Sequence, residues 1–276
     1  LGPEFTKYAW WAAVIGDYMK DVETSLRTCA SDPVKAMEIY DDAWQKMLGV
    51  AQKDIRQVSP VLKDIADTIS RIPLARKMED CPKVLIVGEI YVRRDDFAVE
   101  ELIKLFSRHG IVAKVSNVIE WFYYCDFVRH YELKKRMKLV PWYRRIFTEE
   151  FKDLIGWQIE HIYKKKVEKD VRDILSTTNL VPHTPHNMNE IMKNTETHFV
   201  NHELHSEICI SSGVAATAMM DGYSGIVNIS PFACLIGRVI EGLYTPWARQ
   251  RNYPTISVEI DGNLLPPNVL SNLEIF

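Results

Sequence analysis

Cysteine is scarce in this sequence, and the few cysteines are far apart. The five are Cys29, Cys81, Cys125, Cys209 and Cys234, and no two of them form a CxxC pair. An odd number of scattered cysteines excludes a disulfide framework and predicts reduced thiols, which is typical of a cytoplasmic protein. The same spacing leaves no clustered zinc or iron–sulfur site that this chain could build alone.

Strong charge and long apolar runs are also missing. The formal net charge is -3 over 276 residues, which provides no general attraction to nucleic acid. No uncharged apolar run reaches the roughly 20 residues that cross a bilayer, and the N-terminus shows no signal-type segment. We therefore expect no nucleic acid and no membrane among the partners, and a cytoplasmic location.

Familiar nucleotide and hydrolase motifs are absent as well. The sequence contains no G-x-G-x-x-G, no P-loop, no kinase motif and no G-x-S-x-G. These motifs depend on fixed glycines that let the backbone approach a phosphate or present a nucleophile. Their absence argues against NAD as a cofactor, against an ATP site in this chain and against a standard serine hydrolase.

The order of the patterns that are present predicts how the chain is divided. Residues 1–5 (LGPEF) are typical of a cloning scar, so we expect the chain to be a piece of a longer protein. Residues 6–80 carry apolar side chains at helical spacing and predict a helical segment that packs on the main domain. Residues 81–276 predict an α/β domain with a long helical insertion at about 117–220, broken near Pro141.

Four apolar, β-prone runs predict the strands of that domain. The first lies within KVLIVGEIYV (83–92), and the others are residues 111–115, 225–230 and 255–260. Continuous apolar runs suit strands that are covered on both faces, and helical patterns separate them, so we predict a parallel sheet. The expected fold class is α/β, with a four-stranded or slightly larger Rossmann- or flavodoxin-like sheet and flanking helices.

The turn after the first strand carries the first candidate site. Glu89, Arg93 and Asp95 fall where this strand ends and a helix begins. Ligands of open parallel sheets bind beyond the carboxyl ends of the strands, and a helix start beside an arginine suits an anion. These three residues are therefore candidate cofactor-binding residues, and the alternative is a capped helix with solvated arginines.

Cys234 occupies a similar place, between the strand at 225–230 and a helix predicted at 235–249. A helix N-terminus favours the thiolate form of cysteine, which is the form that binds metals. Cys234 is therefore a candidate metal ligand. The alternative is a small apolar side chain in the core.

Histidines are concentrated in one region: His183, His186, His198, His202 and His205. The last three follow i, i+4 and i+7 spacing and would share one face of a helix predicted at about 195–220, an arrangement that can hold a metal. The alternative is a polar helix surface with hydrogen-bonded histidines. The HELH sequence lacks the HExxH spacing, which excludes a zinc protease of that type.

Basic residues are concentrated between positions 134 and 166. They indicate either solvated helix faces or a surface that docks an acidic partner or the phosphate tail of coenzyme A.

Four blocks carry a resemblance to a known family. They are KVLIVGEIYVRRDDF (83–97), the E-W-x-x-Y that begins at Glu120, GIVNISPFACLIGRVIEG (225–242) and ISVEIDGN (256–263). In this order they resemble the C-terminal region of acyl-CoA dehydratase activase-related proteins, which are similar to activators and dehydratase-like subunits of the 2-hydroxyglutaryl-CoA dehydratase system. The resemblance covers about residues 6–276, and its most specific block is G-E-I-Y-V-R-x-D.

This resemblance implies a part in ATP-dependent, low-potential electron transfer through an iron–sulfur cluster in the full-length protein. It carries Cys234 over as a candidate cluster ligand, while the cluster itself and the ATPase domain are expected to be absent from this chain. The expected partners are other domains of the parent protein or a dehydratase or reductase component, and acyl-CoA. The alternative is a non-catalytic binding or assembly module that docks a partner protein or acyl-CoA.

Overall fold

The structure is a computed structural model that describes residues 3–51, 55–184, 187–263 and 265–276. Leu1 and Gly2 of the expected cloning scar lie outside the described residues, and so does His186 of the histidine group. Within the described residues, no helix is both long enough and apolar enough to cross a membrane.

Helices make up most of the described chain. In chain order they are α1 (Pro3–Cys29), α2 (Pro33–Ala51), α3 (Val58–Ile69), α4 (Asp96–Arg108), α5 (Val118–Lys138), α6 (Glu149–Ser176), α7 (Met188–His198), α8 (Glu207–Met220), α9 (Leu235–Arg249) and α10 (Pro267–Ile275). The first three form the N-terminal helical segment. Asp32 accepts a hydrogen bond from the backbone N–H of Lys35 at 3.1 Å, and Pro33 opens α2, where its missing N–H costs nothing.

The sheet has four strands: β1 (Lys83–Gly88), β2 (Val112–Val115), β3 (Gly225–Pro231) and β4 (Thr255–Ile260). All pairs are parallel and the strand order is β2-β1-β3-β4. The predicted α/β class and four-stranded parallel sheet are therefore confirmed, and the order is that of a flavodoxin-like, doubly wound sheet. β1 and β3 are buried almost throughout, as expected for central strands covered on both faces.

Gly88 ends β1 and is fixed by its surroundings. It has a φ of 116°, and an added Cβ would collide with the backbone oxygen of Ile229 in β3. Only glycine combines this conformation with so close an approach. The backbone therefore leaves the sheet at Gly88, and residues 92–94 form a short 3₁₀ turn before α4.

The segment between β2 and β3 is almost entirely helical and contains one wrong prediction. The predicted break near Pro141 is present, because a short 3₁₀ helix at Trp142–Phe147 separates α5 from α6. The continuous helix predicted at about 195–220 is not: α7 ends at His198 and α8 begins at Glu207. His205 has a φ of 46°, and Ser206 caps α8 by accepting from the N–H of Ile208, so the chain turns here.

Three apolar clusters hold these elements together. One joins the helices α1, α2 and α3 to α6 and to Val112, Ile119 and Tyr123, so the N-terminal segment shares its core with the α/β part. The other two cover the opposite faces of the sheet, one beneath α7, α8 and α9 and the other beneath α4 and α10. Both faces of the sheet are thus buried, so a functional site is to be sought at the ends of its strands.

Candidate functional site

The carboxyl ends of β1 and β3 lie side by side in the sheet. The two strands are parallel neighbours, with Gly88 opposite Ile229. β2, the next strand in sequence, pairs with β1 on the side opposite β3. The order in which the chain adds strands across the sheet therefore reverses between β1 and β3. Such a reversal is where doubly wound sheets form a ligand crevice. The turns that carry Arg93 and Cys234 both begin at this edge.

Two of the predicted residues support the turn itself. The Glu89 carboxylate accepts hydrogen bonds from the backbone N–H groups of Tyr91 at 3.1 Å and Val92 at 2.8 Å. Asp95 is the N-cap of α4 and accepts from the N–H of Phe97 at 3.3 Å. Both carboxylates therefore satisfy backbone donors that would otherwise lack partners.

Arg93 is at the predicted edge of the sheet but points inward, and only 1% of it is exposed. Its guanidinium donates to the carbonyl oxygens of Gly88 at 3.1 Å and Asn117 at 3.5 Å. It thereby joins the turns that follow β1 and β2. Burial lowers the pKa of Arg93, and the nearby Glu120 carboxylate opposes this effect.

Two buried glutamates face this guanidinium. The sequence gives Glu120 no role of its own and indicates Glu207 only as a carboxylate near the histidine group. Glu120, at the start of α5, accepts from the Ser116 hydroxyl, and Glu207 begins α8. Burial raises the pKa of both carboxyls, and Arg93 works against the shift in each case. Glu120 belongs to a block that carries the family resemblance, whereas the signal for Glu207 is its closeness in sequence to the histidine group, which does not predict a contact with Arg93.

Several buried polar atoms near this edge have no hydrogen-bond partner among the described residues: Arg93 Nε, Glu120 Oε1, Glu207 Oε1 and Asn117 Nδ2. Buried polar groups are rarely left in this state, so each one needs a water or a ligand atom. The cluster offers two donors and two carboxylate oxygens. It can therefore bind a polar group or hold a proton beneath the strand ends.

A second buried charge cluster ties α1 to the sheet. Asp21 pairs with Lys114 at 2.6 Å, and both side chains are fully buried. Asp17 pairs with Arg94 and accepts from the N–H groups of Val118 at 2.9 Å and Ile119 at 2.8 Å. A charged residue inside the apolar run of β2 was the available signal for this cluster. Its partners on α1, about 90 residues away in sequence, had no signal.

Cys234 lies at the N-cap of α9, in the turn that follows β3. Ala233 before it has a φ of 57°, an uncommon conformation for a residue with a Cβ, and its N–H donates to Glu259 at 3.2 Å. The thiol is partly exposed, and Phe232 and Leu235 beside it are exposed. The turn thus presents a thiol between two apolar side chains.

The residues present do not complete an iron–sulfur site. The sulfurs of Cys29 and Cys81 are buried 3.9 Å apart beneath the helical segment, Cys125 is exposed on α5, and Cys209 is buried in α8. A cluster commonly takes up to four thiolates. Within the described ranges, no three His, Cys, Asp or Glu side chains converge as metal ligands.

The described histidines of the 183–205 region are held by different partners. His183 lies 3.5 Å from Asp221, His202 contacts Glu196, and His205 lies 3.9 Å from Glu132. His198 packs against the Trp247 ring, with 5.4 Å between ring centroids. Because the chain turns after α7, the expected common helix face does not exist. His186, the remaining member, lies outside the described residues.

A cavity of about 610 Å³ is found elsewhere, between α5, α6 and the start of α7. None of its lining residues belongs to the turns after β1, β2 or β3. Its walls are aromatic, and two of its histidines have unpartnered ring nitrogens.

No family model matches the chain, and no curated protein or solved structure is significantly similar to it.

Proposed function

We propose that this chain supplies one side of a shared iron–sulfur site in an ATP-dependent, low-potential electron-transfer system similar to the 2-hydroxyacyl-CoA dehydratase system. The observation that carries this proposal is the position of Cys234, a partly exposed thiol at a helix N-terminus where the sheet reverses direction. A helix N-terminus stabilises a thiolate, and a thiolate is the ligand that iron–sulfur clusters take.

The remaining ligands would come from a second protein surface, because the described residues offer one thiol in this turn. The exposed side chains of Phe232 and Leu235 support a covered arrangement, since apolar groups around a functional atom favour burial against a partner. Under this proposal the chain contributes a single thiolate, and Arg93, Glu120 and Glu207 keep a buried polar cluster near the strand ends.

The test is the iron content of the complete protein, purified without oxygen together with its natural partners. We expect Cys234→Ala to lose iron and the visible thiolate-to-iron absorbance. Cys125→Ala removes an exposed thiol from α5 and should retain both. Equal iron content in the wild type and both variants, with unchanged circular dichroism, would remove Cys234 from the site.

The second candidate function is an assembly module that docks an acidic partner. Its support is a set of large exposed apolar side chains. Leu139, Trp142, Tyr143, Ile146 and Phe147 lie in the connection between α5 and α6, and Ile155, Ile159 and Ile162 lie along α6. Residues 134–147 contain six basic side chains and no acidic one. Monomeric proteins rarely expose so large an apolar area, and tryptophan, tyrosine and arginine are the residues that dominate docking energies.

A charge reversal tests this second candidate. We expect Arg144→Glu combined with Arg145→Glu to weaken binding of the dehydratase or reductase component, measured by calorimetry at low salt. The matched control is Arg249→Glu combined with Arg251→Glu, at the end of α9. Equal affinities for both double variants would count against docking at this surface. An acyl-CoA titration of the same proteins tests acyl-CoA as the docked ligand, and no heat would exclude it.

A further inference from the structure

The cavity between α5 and α6 has a rigid aromatic wall. The Trp157 ring is stacked between two imidazoles, with its centroid 4.0 Å from that of His130 and 5.0 Å from that of His161. Its indole N–H donates to the carbonyl oxygen of Asp126 at 3.1 Å. Phe127 of α5 adds a further ring to the lining. The stack, held to the α5 backbone by this hydrogen bond, gives the cavity an aromatic wall.

Each of the two imidazoles has a buried Nδ1 atom without a hydrogen-bond partner in the described part of the chain. The nearest carboxylate oxygen recorded for His161, Oδ2 of Asp126, is 4.0 Å away, which is too far for a hydrogen bond. Burial lowers the pKa of both histidines, and neighbouring lysines lower it further. The neutral form of both rings is therefore favoured, and each neutral ring carries one N–H donor and one nitrogen acceptor.

Among the described residues that line the cavity, the charges leave one cation, Lys134, without an ion pair. Lys164 donates to both carboxylate oxygens of Asp126 at 3.0 Å and also pairs with Glu160 at 2.7 Å. Lys165 pairs with Glu168 at 3.2 Å and lies over the ring of Tyr123. Lys134 also lines the cavity, is exposed, and forms no ion pair with any described acidic residue. An ammonium group at the rim of an aromatic cavity attracts an anion.

We propose that this cavity binds a small ligand in which a planar ring carries a carboxylate or a phosphate, a role beyond the proposed electron-transfer function. The ring lies among the aromatic side chains, its polar edge faces the neutral imidazoles of His130 and His161, and the anionic group pairs with Lys134. The volume of about 610 Å³ is within the range of about 300–1,000 Å³ found for small-molecule sites.

Calorimetric titration of the complete protein with four probes tests the proposal. Benzoate joins a ring to a carboxylate, and adenosine monophosphate joins a ring to a phosphate. Benzyl alcohol has the ring without the charge, and inorganic phosphate has the charge without the ring. We expect one of the first two to bind measurably and both of the last two to bind at least about tenfold more weakly. No binding by either benzoate or adenosine monophosphate overturns the proposal.

Lys134→Ala should weaken the bound probe by about tenfold, the effect of losing one charge-assisted contact at a partly exposed site. Lys138→Ala, one turn further along α5 and outside the cavity lining, is the matched control and should bind like the wild type. Both side chains are exposed, so neither variant is expected to disturb folding. Equal affinity in the two variants would mean that the anionic group does not meet Lys134, and the proposed site would fall.

Discussion

At the scale of the residue, the cluster of Arg93, Glu120 and Glu207 at the strand ends consists of ionisable groups that are buried away from water. Arg93 satisfies two backbone carbonyls and stands near the carboxyls of Glu120 and Glu207. Removing water from three ionisable groups is costly, and mutual attraction offsets part of that cost. The buried guanidinium of Arg93 is therefore held in place by its partners. Its hydrogen bonds to Gly88 and Asn117 fix the backbone of the turns after β1 and β2 at the end of the sheet.

Asp21 gives a residue-scale prediction about pH. Burial raises its pKa from 3.8 to about 6, although Lys114 opposes the shift. In the folded protein the Asp21 carboxyl therefore keeps its proton between about pH 4 and 6, whereas in the unfolded chain the same carboxyl is ionised over this range. Its contribution to stability is complete below about pH 4 and is lost as the pH rises through about 6. A shift of this size corresponds to roughly 3 kcal/mol.

Urea unfolding of the wild type and of Asp21→Asn between pH 4 and 7 measures this effect. Asparagine resembles the protonated carboxyl but does not titrate, so the stability of the wild type relative to the variant should fall as the pH rises from 4 to 7. Asp67→Asn removes an exposed carboxylate and controls for the change in net charge. A difference that widens with rising pH would contradict the assigned direction.

The residue scale is also where sequence reasoning reached its limit. The sequence located Arg93 and Cys234 at strand ends, because a strand followed by a helix has only one place for its turn. The sequence did not predict that Arg93 is buried, because its burial depends on contacts with Asn117 and Glu207, which lie far from it along the chain. Glu89 and Asp95 cap their own turn, as the capped-helix alternative expects, but Arg93 is buried and not solvated as that alternative requires.

At the scale of the element, helix ends are set by single side chains. The turn after α7 illustrates this: apolar and polar spacing alone predicted one helix, but the Asn201 side chain caps a short 3₁₀ turn and Ser206 caps α8. Local hydrogen bonds of this kind compete with helix continuation, and periodicity does not detect them. By contrast, β4 has the predicted limits, since a clear apolar run marks it.

The cap of α4 provides the element-scale prediction. Asp95→Ala should lower the free energy of unfolding by about 1 kcal/mol, because the N–H of Phe97 loses its acceptor. Asp95→Asn retains an acceptor oxygen and should cost much less. Thermal or urea unfolding distinguishes the two, and equal losses would show that the carboxylate charge matters more than the cap.

At the scale of the whole molecule, the N-terminal helices and the sheet are parts of one structure. Met19 and Leu26 of α1 share an apolar cluster with Val112 of β2 and Leu175 of α6. The buried pair of Asp21 and Lys114 crosses the same boundary. The helical segment was predicted from its periodicity, but the sequence had no signal for how deeply it would be joined to the sheet.

A truncation tests this unity. Removing residues 1–77 would expose the apolar side chains of β2, α5 and α6 that α1 covers, so the shortened chain should lose fixed packing and aggregate. Near-ultraviolet circular dichroism and soluble yield measure the loss. Removing residues 1–7 is the control, because Trp10 is the first buried side chain among those of α1 whose burial is described. A well-packed, soluble 78–276 fragment would show that the segment is dispensable.

The separation of β1 from β3 along the chain also has a consequence for synthesis. β2 follows β1 closely, whereas β3 is reached only after α5, α6, α7 and α8. A nascent chain that has completed the first βαβ unit therefore presents an unpaired, apolar edge of β1 until more than a hundred further residues, counted along the printed sequence, have been translated. During that interval this strand edge is where we expect chaperones to engage the growing polypeptide.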